Sequence, residues 1–224
     1  MNKINIALMA LLGTALLTCG GCTTPPSKQE MVAYFDTPAR SQFTRPVYVS
    51  VVDERPEEER RGTGWSHRYL STTDGPSPER VAFVFAEDLA SLLLRKEIAD
   101  SAVVSRTVAE APQDSTILSV KLLSWYGRVV DFDKLTKTER LTMGLGSTSP
   151  AYDNKGRCQF SAVLIQPEMR TDLGTFTGEF VAMLKAGGSL REANALSAGA
   201  ADRAFMEFLI KLEKVLLATV QNIE

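Results

Sequence analysis

The sequence predicts an α+β fold: a two-layer domain with a mixed, four- to five-stranded sheet and two long helices on one face, in the order βαββββα. Three observations carry this expectation. A β-branched run, Val47 to Asp53, precedes a long apolar-periodic segment that starts at Ser77-Pro78. Several strand-like runs then follow, with one irregular insert among them. A final long helical stripe opens on Ser189-Leu190-Arg191-Glu192. Runs of period two and period 3.6 in this order fit helices packed on a sheet.

Val47-Tyr48-Val49-Ser50-Val51-Val52-Asp53 is rich in β-branched residues and nearly lacks polar alternation, as in a strand covered on both sides. It ends at Asp53-Glu54-Arg55-Pro56, and Pro56 cannot continue a ladder. A loop of some twenty residues follows, with the charged run Glu57 to Arg61 and Gly62, Gly64, Gly75 and Pro76. Its length makes it a candidate for function or mobility.

Ser77 suits an N-cap and Pro78 the first helical position. Val81, Val84, Phe85, Leu89, Leu92 and Leu93 continue at helical spacing, and the helix is expected to stop near Ile98 to Asp100. Val103-Val104-Ser105 reads as a short strand.

Ile117 to Val130 alternates: Leu118, Val120, Leu122, Ser124 and Tyr126 on one face, Ser119, Lys121, Leu123 and Trp125 on the other. Asp131 to Lys155 is irregular, with a short helix expected around Lys134 to Met143. Cys158 to Ile165 and Thr175 to Leu184 are strands, joined across Gln166 to Gly174. In the last helix Ser189 and Glu192 form a capping box. Small residues in its first half, such as Ala193 and Ala200, allow close approach to a sheet.

The N-terminus reads as a bacterial lipoprotein signal over residues 1–21. Lys3 gives a basic start and Ile4 to Leu17 an apolar run too short to span a bilayer. Leu17-Thr18-Cys19-Gly20-Gly21-Cys22 resembles a lipobox, which implies cleavage before Cys22 and lipidation there. Cys19 stands where the lipobox usually has Leu. Ordinary secretion with cleavage nearby, or an uncleaved anchor, are the alternatives. Several acyl chains would hold firmly, at about 0.8 kcal/mol per buried CH₂. Thr23, in place of the Asp that retains enterobacterial lipoproteins in the inner membrane, points to the outer membrane, with the domain facing the periplasm. Residues 22–45, punctuated by Pro25, Pro26 and Pro38, are expected to be a flexible tether, and residues 46–224 the α+β domain.

The whole chain has 25 Lys and Arg against 27 Asp and Glu. Removing Lys3 leaves 24 against 27, a mature charge of −3. No basic stripe is present, so nucleic acid is not an expected partner. With Cys19 removed and Cys22 capped, Cys158 is alone and no internal disulfide forms. It reads as a buried thiol.

The first strand ending in Asp53, Arg55 and Pro56, the capped helix, the central strand pair and the terminal Ser189-x-x-Glu192-Ala193 helix, behind Cys22, resemble the YajG-like bacterial lipoproteins. More loosely, the layout is similar to lipoprotein subunits that help move or assemble lipids at the outer membrane. The resemblance implies an accessory or assembly protein.

Catalytic chemistry is sparse. His67 is the only histidine, and no Gly-x-Ser-x-Gly elbow accompanies it. No His/Cys spacing suits zinc, and no phosphate loop is present. No cofactor is expected. Asp53 and Arg55, two residues apart, are placed to pair at the strand end, with Pro56 as its stop. Leu123 and Trp125, joined by Val181 and Met183, are expected to form a partly apolar second sheet face, fitted to a protein partner or acyl chains unless another segment covers it. The leading expectation is a membrane-anchored, non-enzymatic lipoprotein that binds an envelope protein. The alternative is a periplasmic carrier with a lipid or peptidoglycan ligand; a hydrolase using His67 is third.

Overall fold

The computed structural model describes residues 27–39, 42–60, 69–71, 78–144, 154–182 and 189–221. The signal segment, Cys22, His67, Ser77 and Met183 lie outside the described residues. The fold is α+β, with helices packed on a mixed sheet, as the sequence predicts.

Helix α1 is Lys28–Phe35 and strand β1 is Val47–Asp53. A single-turn helix α2, Glu57–Arg60, and a short strand β2, Tyr69–Ser71, follow. Helix α3 is Pro78–Arg95, strand β3 Ala102–Ser105 and strand β4 Thr116–Val130. Helix α4 is Lys137–Gly144. Strands β5, Asn154–Gln166, and β6, Met169–Ala182, form a hairpin, and helix α5 is Leu190–Gln221. The main path of the sheet is β3-β1-β4-β5-β6, with β2 pairing on the end of β4. β3 and β4 run parallel to β1, whereas β5 and β6 are antiparallel.

Four expectations change. The stretch from Ser27 is not a loose tether: Ser27 and Glu30 make a capping box, and Met31 and Phe35 are buried against the domain. Tyr34 donates its hydroxyl to Glu213 of α5, and Lys96 pairs with the same carboxylate at 3.3 Å. The apolar spacing of Met31 and Phe35, one helical turn apart, is what docks the segment.

Helix α3 ends at Arg95 because the chain turns left-handed at Glu97, with φ of 54°. The amides of Ile98 and Glu97 bond back to the carbonyls of Leu93 and Leu94, which is a Schellman stop. The β5–β6 connection is two residues long rather than nine: β6 runs on through a bulge in which Leu173 is the extra residue and Gly174 holds φ of 90°.

The fourth change moves a whole face. β4 carries a bulge between Leu122 and Ser124, opposite Phe160 and Gln159 of β5. Leu123 is the extra residue, so alternation flips there. Leu118, Val120 and Leu122 face the helices before the bulge; Trp125, Gly127 and Val129 face them after it.

The core lies between sheet and helices. Phe85 of α3, Phe160 of β5 and Phe205 of α5 meet with ring centroids 5.0–5.7 Å apart, and Phe176 and Phe208 extend the cluster. Cys158 is fully buried beneath them, and burial pushes its thiol pKa well up.

Candidate functional site: the groove over Trp125

Trp125 sits on the sheet between the two long helices. Its ring meets Phe85 edge-on at 5.3 Å, and its indole N–H donates to the Ser197 carbonyl of α5 at 3.2 Å. It therefore does not join an apolar second face. The bulge at Leu123 turns it to the helix side, and Leu123 itself is half-buried.

The opposite face carries ion pairs where β5 meets β6. Lys155 and Arg157 of β5 approach Glu179 of β6 at 3.2 and 3.8 Å, and Arg157 donates to Gln159. Val181 is exposed on this face and pairs in register with Lys155. Leu123, Trp125 and Val181 are thus not brought together, and Met183 lies outside the described residues.

The bulge is held by a buried polar cluster. Arg55 grips Asp53 bidentately, with Nε and Nη2 each 2.9 Å from a carboxylate oxygen, and both side chains are 2% exposed. Arg55 also donates to the Trp125 carbonyl at 3.3 Å. Pro56 is exposed, and its carbonyl accepts the Arg60 amide that closes the turn of α2. That turn presents Glu59, whose two oxygens accept the Trp125 amide at 2.7 Å and the Ser124 hydroxyl at 2.9 Å. The carboxylate answers donors near the break in the ladder. Burial raises the Glu59 pKa, and the bonds from Trp125 and Ser124 oppose that rise.

Above Trp125 the helices leave a groove. One part, about 210 Å³, is bounded by Arg55, Arg80, Val84 and Asn194; the next, about 270 Å³, by Asp88, Leu92, Arg95, Ala201 and Asp202. A third hollow of about 470 Å³ lies beside Lys28 and Met31 of α1, over Phe180, Leu196 and Gly199. Trp125 and Phe205 are the aromatic residues of the groove, and Asp88 and Asp202 line it from α3 and α5. Burial is the main cause of the raised pKa of both carboxyls. Among the described residues no group of three His, Cys, Asp or Glu is placed to hold a metal. No helix among them is long and apolar enough to cross a membrane.

Glu59, Asp88 and Asp202 were not among the residues singled out from sequence. The charged run after Pro56 was a signal for Glu59, since a short helix after a strand end can return a side chain to the sheet. Asp88 and Asp202 carry no motif; only the crossing of two helices pairs them.

No protein-family model matches the chain, and no curated protein matches it. Solved structures give distant likenesses. The PelC dodecamer from Paraburkholderia phytofirmans is 11% identical, over 78% of this chain and 94% of that one, with a TM-score of 0.41. Protein XCC0632 from Xanthomonas campestris, of the DUF330 family, is 9% identical over 83% and 93%, with a TM-score of 0.42. Lipoprotein GNA1162 from Neisseria meningitidis is 9% identical over 69% and 94%, with a TM-score of 0.29. Likeness of this degree carries neither family nor function to this chain.

Proposed function

We propose that this protein is a lipid-anchored lipoprotein of the bacterial envelope, akin to the YajG-like lipoproteins, that works without catalysis by binding other envelope components. The observation that carries the reading is the lipobox-like segment ending at Cys22, five residues before the N-cap of the docked helix α1. Five residues reach at most about 18 Å. A lipid at Cys22 would therefore hold the α1 end of the domain close to the bilayer surface. With α1 packed on α5, the anchor would also restrict how the domain faces the membrane. Outer-membrane placement follows from Thr23 on the same reading.

Growth with an alkyne fatty acid tests the anchor. Label is expected on the wild-type chain and absent from Cys22→Ala; label on the variant, or none on the wild type, sinks the reading. Photocrosslinkers at Val84 and Asn194, on the two walls of the groove, test the binding role. A specific envelope protein is expected, and its absence from every trapped position counts against that role.

A carrier of small ligands is the second reading, favoured by the open groove above the Trp125 ring. Native mass spectrometry of the purified chain is expected to show a co-purified lipid or glycan fragment if it holds.

A further inference from the structure

A separate cleft of about 770 Å³ opens on the other side of the first turns of α3. It lies where β1 ends at Asp53 and β3 at Ser105, beside Glu79 and Arg80. The crevice past the carboxyl ends of parallel strands is a recurrent place for ligands in open sheets. Here three guanidinium groups converge on it: Arg60 from α2, Arg80 from α3 and Arg106 just past β3. Two carboxylates line it as well. Asp53 is already gripped by Arg55, and Glu79 is the other carboxylate of the lining.

The Nε of Arg60 is buried and has no hydrogen-bond partner among the described residues. A donor removed from water without a partner is unfavourable, and an incoming acceptor would relieve it. The walls are otherwise apolar, from Val51, Val104, Ala82 and Ala86, with Phe83 standing 48% exposed at the side. Guanidinium forks suit tetrahedral oxyanions better than they suit neutral ligands.

We propose that this cleft binds a phosphate ester, with Arg60 and Arg106 on the phosphate and the apolar walls along whatever the ester carries. The ester is either a phospholipid headgroup or a water-soluble phosphate; both present the same oxyanion. This site does not depend on the anchor at Cys22, so a failed fatty-acid label would leave it standing.

The test uses the full chain in maltoside micelles, which contain no phosphate. Three compounds are titrated by calorimetry: dihexanoyl phosphatidylglycerol, glycerol phosphate, and dihexanoylglycerol, which lacks the phosphate. At least one phosphate compound is expected to bind about tenfold or more tighter than dihexanoylglycerol, as charge-assisted hydrogen bonds require. Arg60→Gln with Arg106→Gln is expected to weaken it about tenfold or more, with the thermal midpoint unchanged. The phosphate compound that binds tighter identifies the source. If the double variant does not fold, Arg106→Gln alone serves, because Arg106 is exposed. Equal binding of dihexanoylglycerol, binding unchanged by the substitutions, or no binding of either phosphate compound overturns the proposal.

Discussion

The two halves of the sheet carry their helices differently. Over the parallel half, α3 rests on side chains: Leu89 and Leu93 share one core with Val47, Val49 and Val51 of β1. Over the antiparallel half, the first turns of α5 rest on backbone. A Cβ at Gly127, Gly156 or Gly178 would lie 1.8–2.0 Å from the carbonyl oxygens of Ala193, Leu196 and Ala200. These three glycines sit on β4, β5 and β6, so the first turns of α5 cross the sheet on a track with no side chains beneath them, whereas Phe205 and Phe208 further along rest on Phe160 and Phe176. Both clefts beside α3 border the half spaced by side chains. Residue size between helix and sheet sets how closely the backbones approach; open volume is not confined to one half, since the hollow of about 470 Å³ over Phe180 lies beside α5.

The two halves meet at the bulge in β4, and the largest effect is expected there. Arg55→Ala leaves Asp53 buried without its partner, which costs about 3–5 kcal/mol. Urea denaturation of the variant should show a midpoint far below that of the wild type. Replacing both residues by apolar ones, Asp53→Leu with Arg55→Met, should recover much of the loss, because no buried charge is then stranded. If Arg55→Ala costs less than about 1 kcal/mol, in the range of an exposed pair, the cluster is not what joins the halves.

Gly156→Ala is the next test and acts on one half alone. Its Cβ would collide with the Leu196 carbonyl, a backbone atom that cannot swing aside. Overpacking of this kind costs about 1–3 kcal/mol. Hydrogen exchange should quicken in α5 while α3 keeps its protection. Equal loosening of both helices would show that the halves do not differ as described.

The elements themselves were largely legible from sequence. The capping box at Ser189 and Glu192 is formed as expected, with the Ser189 amide 2.7 Å from the Glu192 carboxylate. The expected order βαββββα holds for the main elements, the short helix expected around Lys134 to Met143 is α4, and α1, α2 and β2 are added. The small residues of α5 announced a close approach to a sheet. Their counterparts Gly127, Gly156 and Gly178 are spread over three strands, and only the register brings them into line. The site was far less legible. Leu122-Leu123-Ser124 contains no glycine or proline to mark a bulge, yet that one residue moves Trp125 from one face to the other. Residues of the clefts come from separate elements and share no motif. Arg106 at the end of β3 carried a weak positional signal, as a cation just past the end of a parallel strand.

Glu97→Gly sharpens the description of the α3 side by a smaller amount. Glu97 holds φ of 54° where the Schellman stop requires a left-handed residue. Glycine adopts that conformation without the Cβ clash, and the gain is partly offset by the greater freedom of glycine in the unfolded chain. A net stabilisation of about 0.5–1 kcal/mol is expected, read as a raised denaturation midpoint. A destabilised variant would mean that the Glu97 side chain contributes more than its backbone costs.

The smallest expected effect is a slope with pH and concerns the groove between the halves. The Asp202 carboxyl is raised above its usual pKa, mainly by burial, with Lys28 and Arg95 pulling it back. Asp88 is raised in turn, and the charge of Asp202 contributes to that rise. A raised carboxyl binds a proton more tightly in the folded chain than in the unfolded one. Between the two pKa values the folded state therefore holds more protons, and stability falls as pH climbs. The fall begins near the ordinary aspartate value of about 4 and ends above the folded pKa of Asp202. Asn at this position has no proton to lose. The stability of Asp202→Asn, followed by urea titration from pH 4 upward, should decline less than that of the wild type. The remaining decline should shrink again in Asp88→Asn with Asp202→Asn. Parallel curves for wild type and both variants would mean that the groove hydrates these carboxylates as well as the unfolded chain does. The groove would then be open to water, which would weaken the case for an apolar ligand there.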